Sequence, residues 1–172
     1  MSEIKLMKPS IDYANEIMAF REELLNAESD FAGCGSLYNC KTADEWINIV
    51  GVNEISCQEG GVTSNSYIAV RLRDNKIVGI IDLRHHINHP ILSVWGGHMG
   101  YTVRPSEQRK GYAKEMLKQN LENCRTKGLD KILIVCNSDN IASEKTIIAN
   151  GGILEKEILV DSHTMKRFWV EL

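Results

Sequence analysis

The sequence predicts an α/β domain with a mixed, mostly antiparallel central sheet flanked by helices. Two observations support this prediction. Segments with strand-like alternation are interleaved with segments whose apolar residues recur at helical spacing. In addition, the apolar run KILIVC at 131–136, typical of a buried strand, follows a long amphipathic segment, and this order indicates a parallel crossover within the sheet. A length of 172 residues suits one domain, which we expect to span 1–172.

The first half of the chain contains signals for five elements. Thr42 followed by Glu45 three residues later predicts a capped helix start, and the Asp74-Asn75 pair predicts a hairpin turn between two alternating segments. A loop is expected at 29–40, where glycines and small polar residues cluster. The predicted elements are a strand at 3–8, helices at 11–27 and 42–49, and strands at 67–73 and 76–84.

The second half predicts six more elements. Gly96-Gly97 and Gly100 interrupt the first of them, so a bulge is expected in that strand. Gly128 follows a helical segment and is typical of a C-terminal cap. The predicted elements are strands at 93–103, 131–136, 153–161 and 164–170, and helices at 108–127 and 140–150.

Composition excludes several classes of function. A net charge of −3 and a pI near 6.0 argue against a nucleic-acid or anionic-membrane partner, and no apolar run approaches the length of a membrane span. The N-terminal residues lack the pattern of a signal peptide, and five cysteines without a C-x-x-C pair suggest reduced thiols in a cytoplasmic protein. His85, His86 and His89 lack metal-site spacing, so no metal is expected.

The segment from Gly100 to Lys118 carries the clearest chemical signal. A strand leads through a short loop into an amphipathic helix, and a helix N-terminus with unpaired N–H groups attracts phosphate. Gly111 would allow close backbone approach, and Ala113 keeps the next turn small. Five basic residues lie in this segment: Arg104, Arg109, Lys110, Lys114 and Lys118. An ordinary strand-to-helix turn with a charged first turn is an equally good interpretation of this pattern taken alone.

Two motifs make the interpretation more specific. Val103-x-Pro105 followed by Gln108-x-x-Gly111-x-Ala113 resembles the acyl-CoA-binding signature of the GNAT superfamily of acetyltransferases, (Gln/Arg)-x-x-Gly-x-(Gly/Ala). Downstream of KILIVC, Asn137-x-x-Asn140-x-x-Ser143 and then Asn150-Gly151-Gly152 resemble the second signature of that family. The stretch GHMGYTVRPSEQRKGYA at 97–113 is similar to that of a bacterial subgroup. The resemblance covers about 94–153.

The resemblance implies a site between two splayed strands, the fourth and the fifth, where the pantetheine arm of acetyl-CoA lies. Backbone groups of Tyr101 and Val103 would pair with the pantetheine amides, and amides near 101–103 would stabilise the oxyanion. For Asn140, a helix N-cap is an alternative that one side chain can combine with ligand contact. The residues expected to bind the donor are Tyr101, Thr102, Val103, Gln108, Arg109, Lys110, Gly111, Tyr112, Ala113, Asn137, Asn140 and Ser143.

The sequence departs from the family where catalytic groups are expected. The tyrosine that usually protonates the departing thiol corresponds to Ile147, and the aromatic residue after the glycine corresponds to Gly152. The usual positions of the base correspond to Met99 and Gly97. His98 lies between them, and a bulge at Gly96-Gly97 would be needed to turn it into the site, so His98 is the candidate catalytic base. Glu107 is expected to be a surface charge.

The resemblance therefore implies an N-acetyltransferase that moves an acetyl group from acetyl-CoA to a primary amine of a small molecule or peptide. The amine would attack directly in a ternary complex. The alternative is a non-catalytic acyl-CoA-binding or sensing module, which Ile147 favours. A nucleotide-binding domain is a third interpretation, but the G-x-x-x-x-G-K-[ST] loop is missing. We expect a monomer or homodimer.

Overall fold

The computed structural model describes residues 2–172 and contains seven strands and four α-helices in those residues. The strands are β1 (Ile4–Met7), β2 (Ser64–Arg71), β3 (Lys76–Arg84), β4 (Tyr101–Val103), β5 (Lys131–Asn137), β6 (Ile153–Val160) and β7 (His163–Glu171). The helices are α1 (Ala14–Asn26), α2 (Ala43–Asn53), α3 (Tyr112–Thr126) and α4 (Ile141–Ala149). Their order agrees with the order that the sequence predicts.

The strands form two antiparallel sheets, β1-β2-β3-β4 and β5-β7-β6. The chain passes from β4 through α3 to β5, the predicted crossover, yet no continuous ladder joins β4 to β5 within residues 2–172. The two strands are linked only before β4 begins, where the backbone N–H of His98 donates to the carbonyl of Leu133 at 2.8 Å. Beyond that point they separate, which leaves one edge of β4 open.

Two apolar clusters hold the helices on the sheets. Met116 and Leu117 of α3 pack with strand residues and Ile147 of α4 on one face. Phe20 of α1 and Trp46 of α2 pack on the other face, and both are fully buried. The predicted capping box starts α2: Thr42 accepts from the N–H of Glu45, whose carboxylate accepts from the N–H of Thr42.

The predicted strand at 93–103 is wrong for most of its length. Residues Leu92–Gly96 form a single π-helical turn, and only Tyr101–Val103 pair as β4. Gly97 explains the change of direction: its φ is +68°, and a Cβ there would lie 2.6 Å from the Leu133 carbonyl oxygen. Arg84 stabilises the turn by donating to the carbonyls of Gly96 at 2.7 Å and Gly97 at 3.0 Å.

The helix predicted at 108–127 begins later, at Tyr112. A 3-10 turn at Pro105–Glu107 precedes it, and the intervening loop contains two residues with positive φ, Arg109 at +65° and Gly111 at +86°. The left-handed conformation of Gly111 sets the start of α3. No helix in residues 2–172 is long and apolar enough to cross a membrane.

Candidate functional site

The open edge of β4 presents the backbone groups of Tyr101 and Val103. The backbone N–H of Asp82 donates to the Gly100 carbonyl at 3.1 Å, and the backbone N–H of Arg104 donates to the Val78 carbonyl at 2.8 Å. Residues 100, 102 and 104 therefore direct their backbone groups towards β3. Hydrogen bonding alternates along an antiparallel strand, so Tyr101 and Val103 direct theirs away from β3, towards the gap beside β5. These unpaired amides can pair with an extended ligand.

Thr102 has the opposite orientation. It pairs with Ile80 of β3, and its hydroxyl donates to the Ala32 carbonyl at 2.7 Å in the loop between α1 and α2. The backbone and side chain of Thr102 are therefore both engaged on faces away from the gap. Thr102, one of the predicted donor-binding residues, thus directs neither its hydroxyl nor its backbone groups into the gap.

Asp82 and Asn120 make buried polar contacts just before β4. The Asp82 carbonyl accepts from Nδ2 of Asn120 at 3.0 Å, and the Asp82 carboxylate instead accepts from the Gly100 N–H at 2.6 Å. Burial raises the pKa of Asp82, and the Arg84 guanidinium 3.2 Å away opposes that rise. The Asp82 side chain thus takes the place of a backbone acceptor immediately before the edge residues of β4.

His98 closes the narrow end of the gap. Its ring is buried, and Nδ1 accepts from the Leu133 N–H at 2.8 Å, while its carbonyl accepts from Arg84 N. The imidazole thus substitutes for a backbone acceptor between β4 and β5. Burial lowers the pKa of His98 to about 4.

This geometry does not support His98 as the general base. In a neutral imidazole one nitrogen accepts and the other carries the proton. Because Nδ1 is already occupied by Leu133, Nε2 holds the hydrogen, and no lone pair remains to receive a proton from an amine. His98 instead joins the two sheets through its backbone and its ring.

The loop before α3 lies at the wide end of the gap. Within residues 2–172, the backbone N–H groups of residues 109–113 donate no hydrogen bond to the surrounding turns, loops or side chains. Gln108 directs its Nε2 to the Val103 carbonyl at 3.5 Å, which connects the loop to the edge of β4. Consecutive free amides at a helix N-terminus suit a diphosphate.

Two of the five basic residues that the sequence places near this loop are paired with carboxylates. Arg104 is buried and paired with Glu16 at 2.9 Å and Glu23 at 2.7 Å on α1, so it does not face the loop. Lys110 lies 2.8 Å from Glu107. Tyr112 buries its side chain, so only its backbone N–H is available to a ligand in the gap.

Glu107 is not the surface charge expected from sequence. Its side chain is 5% exposed and is surrounded by Arg71, Lys76 and Lys110, each 2.8 Å away. Burial alone would raise its pKa, but hydrogen bonds from these three cations outweigh burial and lower the pKa to about 2. Glu107 therefore stays ionised at neutral pH.

A pair of hydroxyl groups spans the gap. The Tyr101 hydroxyl lies 2.7 Å from Oγ of Ser143 in the first turn of α4. Burial raises the pKa of Tyr101 to about 12, and the contact with Ser143 opposes that rise. Asn140 accepts from the Ser143 N–H at 3.1 Å, so the predicted N-cap role of Asn140 is confirmed.

The remaining predicted residues fall into two groups. Asn137 ends β5 and is exposed, with its carbonyl accepting from Asn140 N at 3.0 Å. Ile147 is fully buried, and a Cβ added to Gly152 would lie 2.3 Å from its Cγ2 atom. The absence of a side chain at Gly152 thus makes room for the packed Ile147, which occupies the position of the family's usual tyrosine.

The three histidines near the end of β3 do not form a metal centre. His85 is held between Oγ1 of Thr63 at 2.8 Å and Oδ1 of Asn65 at 2.7 Å. Among residues 2–172, no group of three or more His, Cys, Asp or Glu side chains could hold a metal ion. His85 acts as a structural bridge between β2 and β3.

A family model for the acetyltransferase (GNAT) domain matches residues 6–152, most of the chain. This chain belongs to the GNAT acetyltransferase family. It is therefore an acyltransferase, and its acyl donor is acetyl-CoA. The resemblance seen in the sequence motifs is confirmed. Membership also favours the enzyme over the acyl-CoA-sensing alternative.

Solved structures of GNAT proteins share the fold along the whole chain. The Salmonella typhimurium enzyme that modifies the N-terminal serine of ribosomal protein L7/L12 has a TM-score of 0.67 at 16% identity and covers 100% of this chain and 96% of its own. The microcin C7 self-immunity acetyltransferase, solved with acetyl-CoA and AMP, has a TM-score of 0.67 at 16% identity, with coverage of 100% and 94%.

A spermidine N-acetyltransferase chimera derived in part from Vibrio cholerae has a TM-score of 0.65 at 13% identity and covers 99% of this chain and 96% of its own. At these identities the similarity establishes the fold, which confirms the predicted fold class. A sequence search of curated proteins finds no significant match.

Sequence reasoning missed two features of this GNAT domain. Asp82 occurs within an apolar strand, IVGIIDLR, where a lone carboxylate is a signal for a buried polar contact. Glu107 is surrounded by basic residues from distant segments, and no local pattern brings Arg71 and Lys76 beside it. Only the pairing of the strands reveals that cluster.

Proposed function

We propose that this acetyltransferase acetylates a primary amine of a small molecule or peptide by direct attack within a ternary complex. The observation that supports this proposal most strongly is the continuity between the open edge of β4 and the free amides of residues 109–113. An acyl-CoA has an amide-bearing arm followed by a diphosphate. The two donor sets occur in the order that such a molecule needs.

In this proposal, Tyr101 and Val103 pair with the pantetheine amides, and residues 109–113 donate to the diphosphate. Gln108, Asn137, Asn140 and Ser143 line the surrounding walls. The Gly100 N–H is occupied by the Asp82 carboxylate, so the N–H groups of Tyr101 and Val103 are the proposed donors to the negative charge that develops on the thioester carbonyl. Donors that are fixed before the reaction stabilise such an oxyanion at little reorganisation cost.

The hydroxyl pair offers a proton for the departing thiolate. Ile147 has no transferable proton, but Tyr101 and Ser143 are joined at 2.7 Å across the same gap. In this proposal the Tyr101 hydroxyl gives its proton to the thiolate, Ser143 returns a proton to Tyr101, and water, which has received the amine proton, returns one to Ser143. The attacking amine loses its proton to water at the open end of the gap, because Nδ1 of His98 is already occupied.

Two further proposals follow from the chain as a whole. The continuous element order supports one domain across residues 1–172. All five cysteines are free thiols, four of them buried, which supports work in a reducing compartment such as the cytoplasm.

Calorimetric titration with CoA and an assay of free-thiol release test this function together. The release assay would use aminoglycosides, polyamines, amino acids and peptides with free α-amino groups. We expect CoA to bind and at least one amine class to drive steady release above the hydrolysis background. Lack of CoA binding at millimolar concentration would overturn the proposal, and binding without amine-dependent release would favour a sensing role.

A further inference from the structure

A buried ion cluster lies directly behind the loop that precedes α3. Glu107 receives Nη1 of Arg71 and Nζ of Lys110 on one carboxylate oxygen and Nζ of Lys76 on the other, all at 2.8 Å. Arg71 is 5% exposed and is also held by Asp74 through two bonds, at 2.9 Å and 2.7 Å. The guanidinium is thus fixed from the hairpin side and presents Nη1 to the loop.

The same nitrogen contacts both ends of the loop. Nη1 of Arg71 donates to Glu107, the residue before the loop, and lies 3.2 Å from the hydroxyl of Tyr112, the first residue after it. The Tyr112 hydroxyl in turn donates to Glu3 at 3.3 Å. The four residues 108–111 therefore lie between two anchored residues, Glu107 and Tyr112. Both are held by Nη1 of Arg71, which is on β2.

We propose that Arg71, Glu107 and Tyr112 form a positioning brace that holds residues 108–113 in the conformation that receives the diphosphate of the acyl donor. This inference rests on the proposed function. None of the three side chains touches the ligand in this account. The brace acts by fixing the two residues with positive φ, Arg109 and Gly111, between rigid ends.

Removing the charge of Glu107 changes the affinity for CoA in opposite directions, depending on whether Glu107 positions the loop or acts only through its negative charge. Glu107 is an anion close to a phosphate site, so if charge alone mattered, its removal would strengthen binding of an anionic ligand. If Glu107 positions the loop, its removal weakens binding, because the free amides lose their fixed arrangement. The two roles predict opposite changes in affinity.

The experiment compares the wild type with Glu107→Gln and Tyr112→Phe, each of which removes one anchor and keeps the side-chain shape. Glu115→Gln is the matched control, because it removes one negative charge from the first turn of α3 without touching the brace. Calorimetry measures affinity for CoA and for pantetheine, which lacks the diphosphate. Circular dichroism verifies that each variant is folded.

We expect both brace variants to bind CoA about tenfold more weakly, while pantetheine affinity stays within about twofold and the control matches or exceeds the wild type. CoA affinity that is unchanged or higher in both brace variants would overturn the brace, as would an equal loss for pantetheine. Failure of the wild type to bind CoA would instead overturn the proposed function. If Glu107→Gln does not fold, Tyr112→Phe decides the question by the same criteria.

Discussion

At the scale of single residues, burial and hydrogen bonding decide which side chains are available for proton transfer. His98 has the residue type of a general base, but its accepting nitrogen is occupied by the Leu133 N–H, and burial holds its pKa near 4. The hydroxyl groups of Tyr101 and Ser143 meet at 2.7 Å across the gap beside β4, and burial raises the pKa of Tyr101 to about 12. The proposed proton source is therefore the hydroxyl pair and not the histidine.

Replacing His98 with alanine is expected to lower the free energy of unfolding by about 1–3 kcal/mol, because the Leu133 N–H loses its acceptor. The pH dependence of turnover should keep its shape, since His98 does not exchange the reacting proton. Urea unfolding and a pH–rate profile measure the two effects, with His163→Ala at the exposed start of β7 as control. Loss of one limb of the profile would restore His98 as the base.

Replacing Tyr101 with phenylalanine or Ser143 with alanine is expected to lower kcat by about 10- to 100-fold, because the thiolate loses its proton source. The KM for acetyl-CoA should change little, since the backbone groups that pair with the donor remain. Steady-state thiol release with an accepted amine measures both constants. An unaltered kcat in both variants would exclude the pair as the acid.

At the scale of elements, the loop at 108–111 links β4 to α3 through one left-handed glycine. Gly111 has φ +86°, and a Cβ there would meet nothing within 4 Å. Glycine is therefore favoured at position 111 by its backbone conformation and not by lack of space. A side chain would have room there, but the left-handed backbone would be strained. Steric crowding matters instead at Gly33, where a Cβ would lie 2.0 Å from the Gly100 carbonyl oxygen.

Gly111→Ala is expected to fold and to weaken CoA binding several-fold, because relieving roughly 1–2 kcal/mol of left-handed strain shifts the free amides. Gly60→Ala is a matched control: Gly60 has φ +76° and open space, but lies in a distant turn. Calorimetry with CoA measures the difference. Equal affinities for Gly111→Ala and wild type would contradict the assignment of this loop to the diphosphate.

At the scale of the whole molecule, ion clusters join segments that are far apart in sequence. Arg104 connects the end of β4 to α1 through Glu16 and Glu23, and Glu107 connects the same region to β2 and β3. Both clusters need ionised carboxylates. The stability of the fold should therefore depend on pH on the acid side.

The pKa of Glu107 is about 2 in the folded protein, below its ordinary value of 4.5. A depressed pKa means that the contribution of this carboxylate to stability is complete above about pH 4.5 and is lost as pH falls towards 2. Urea unfolding at pH 2.5 to 6 should show a steeper acid decline for the wild type than for Glu107→Gln. If the free energy of unfolding falls equally with pH in the two proteins, protonation of Glu107 does not contribute to the acid loss of stability.

The sequence predicted the order of the elements and the family, because periodicity, the Thr42 cap and the two motifs are local signals. The strand expected at 93–103 was wrong because Gly97 and the carbonyl contacts of Arg84 depend on neighbours brought together by folding. The roles of His98 and Glu107 were also beyond local patterns. Each is set by a partner at least 30 positions away, Leu133 and Arg71 respectively.

Amide-resolved NMR of the protein with and without CoA tests the central claim most directly. CoA is expected to shift the amide signals of Tyr101 and Val103 and of residues 109–113, and to slow their exchange with solvent. The amide of Thr102, which already pairs with β3, should serve as an internal reference with little change in exchange. Perturbation centred elsewhere, such as the 550 Å³ cavity beside Asp12 and Glu16, with none along β4, would contradict the account.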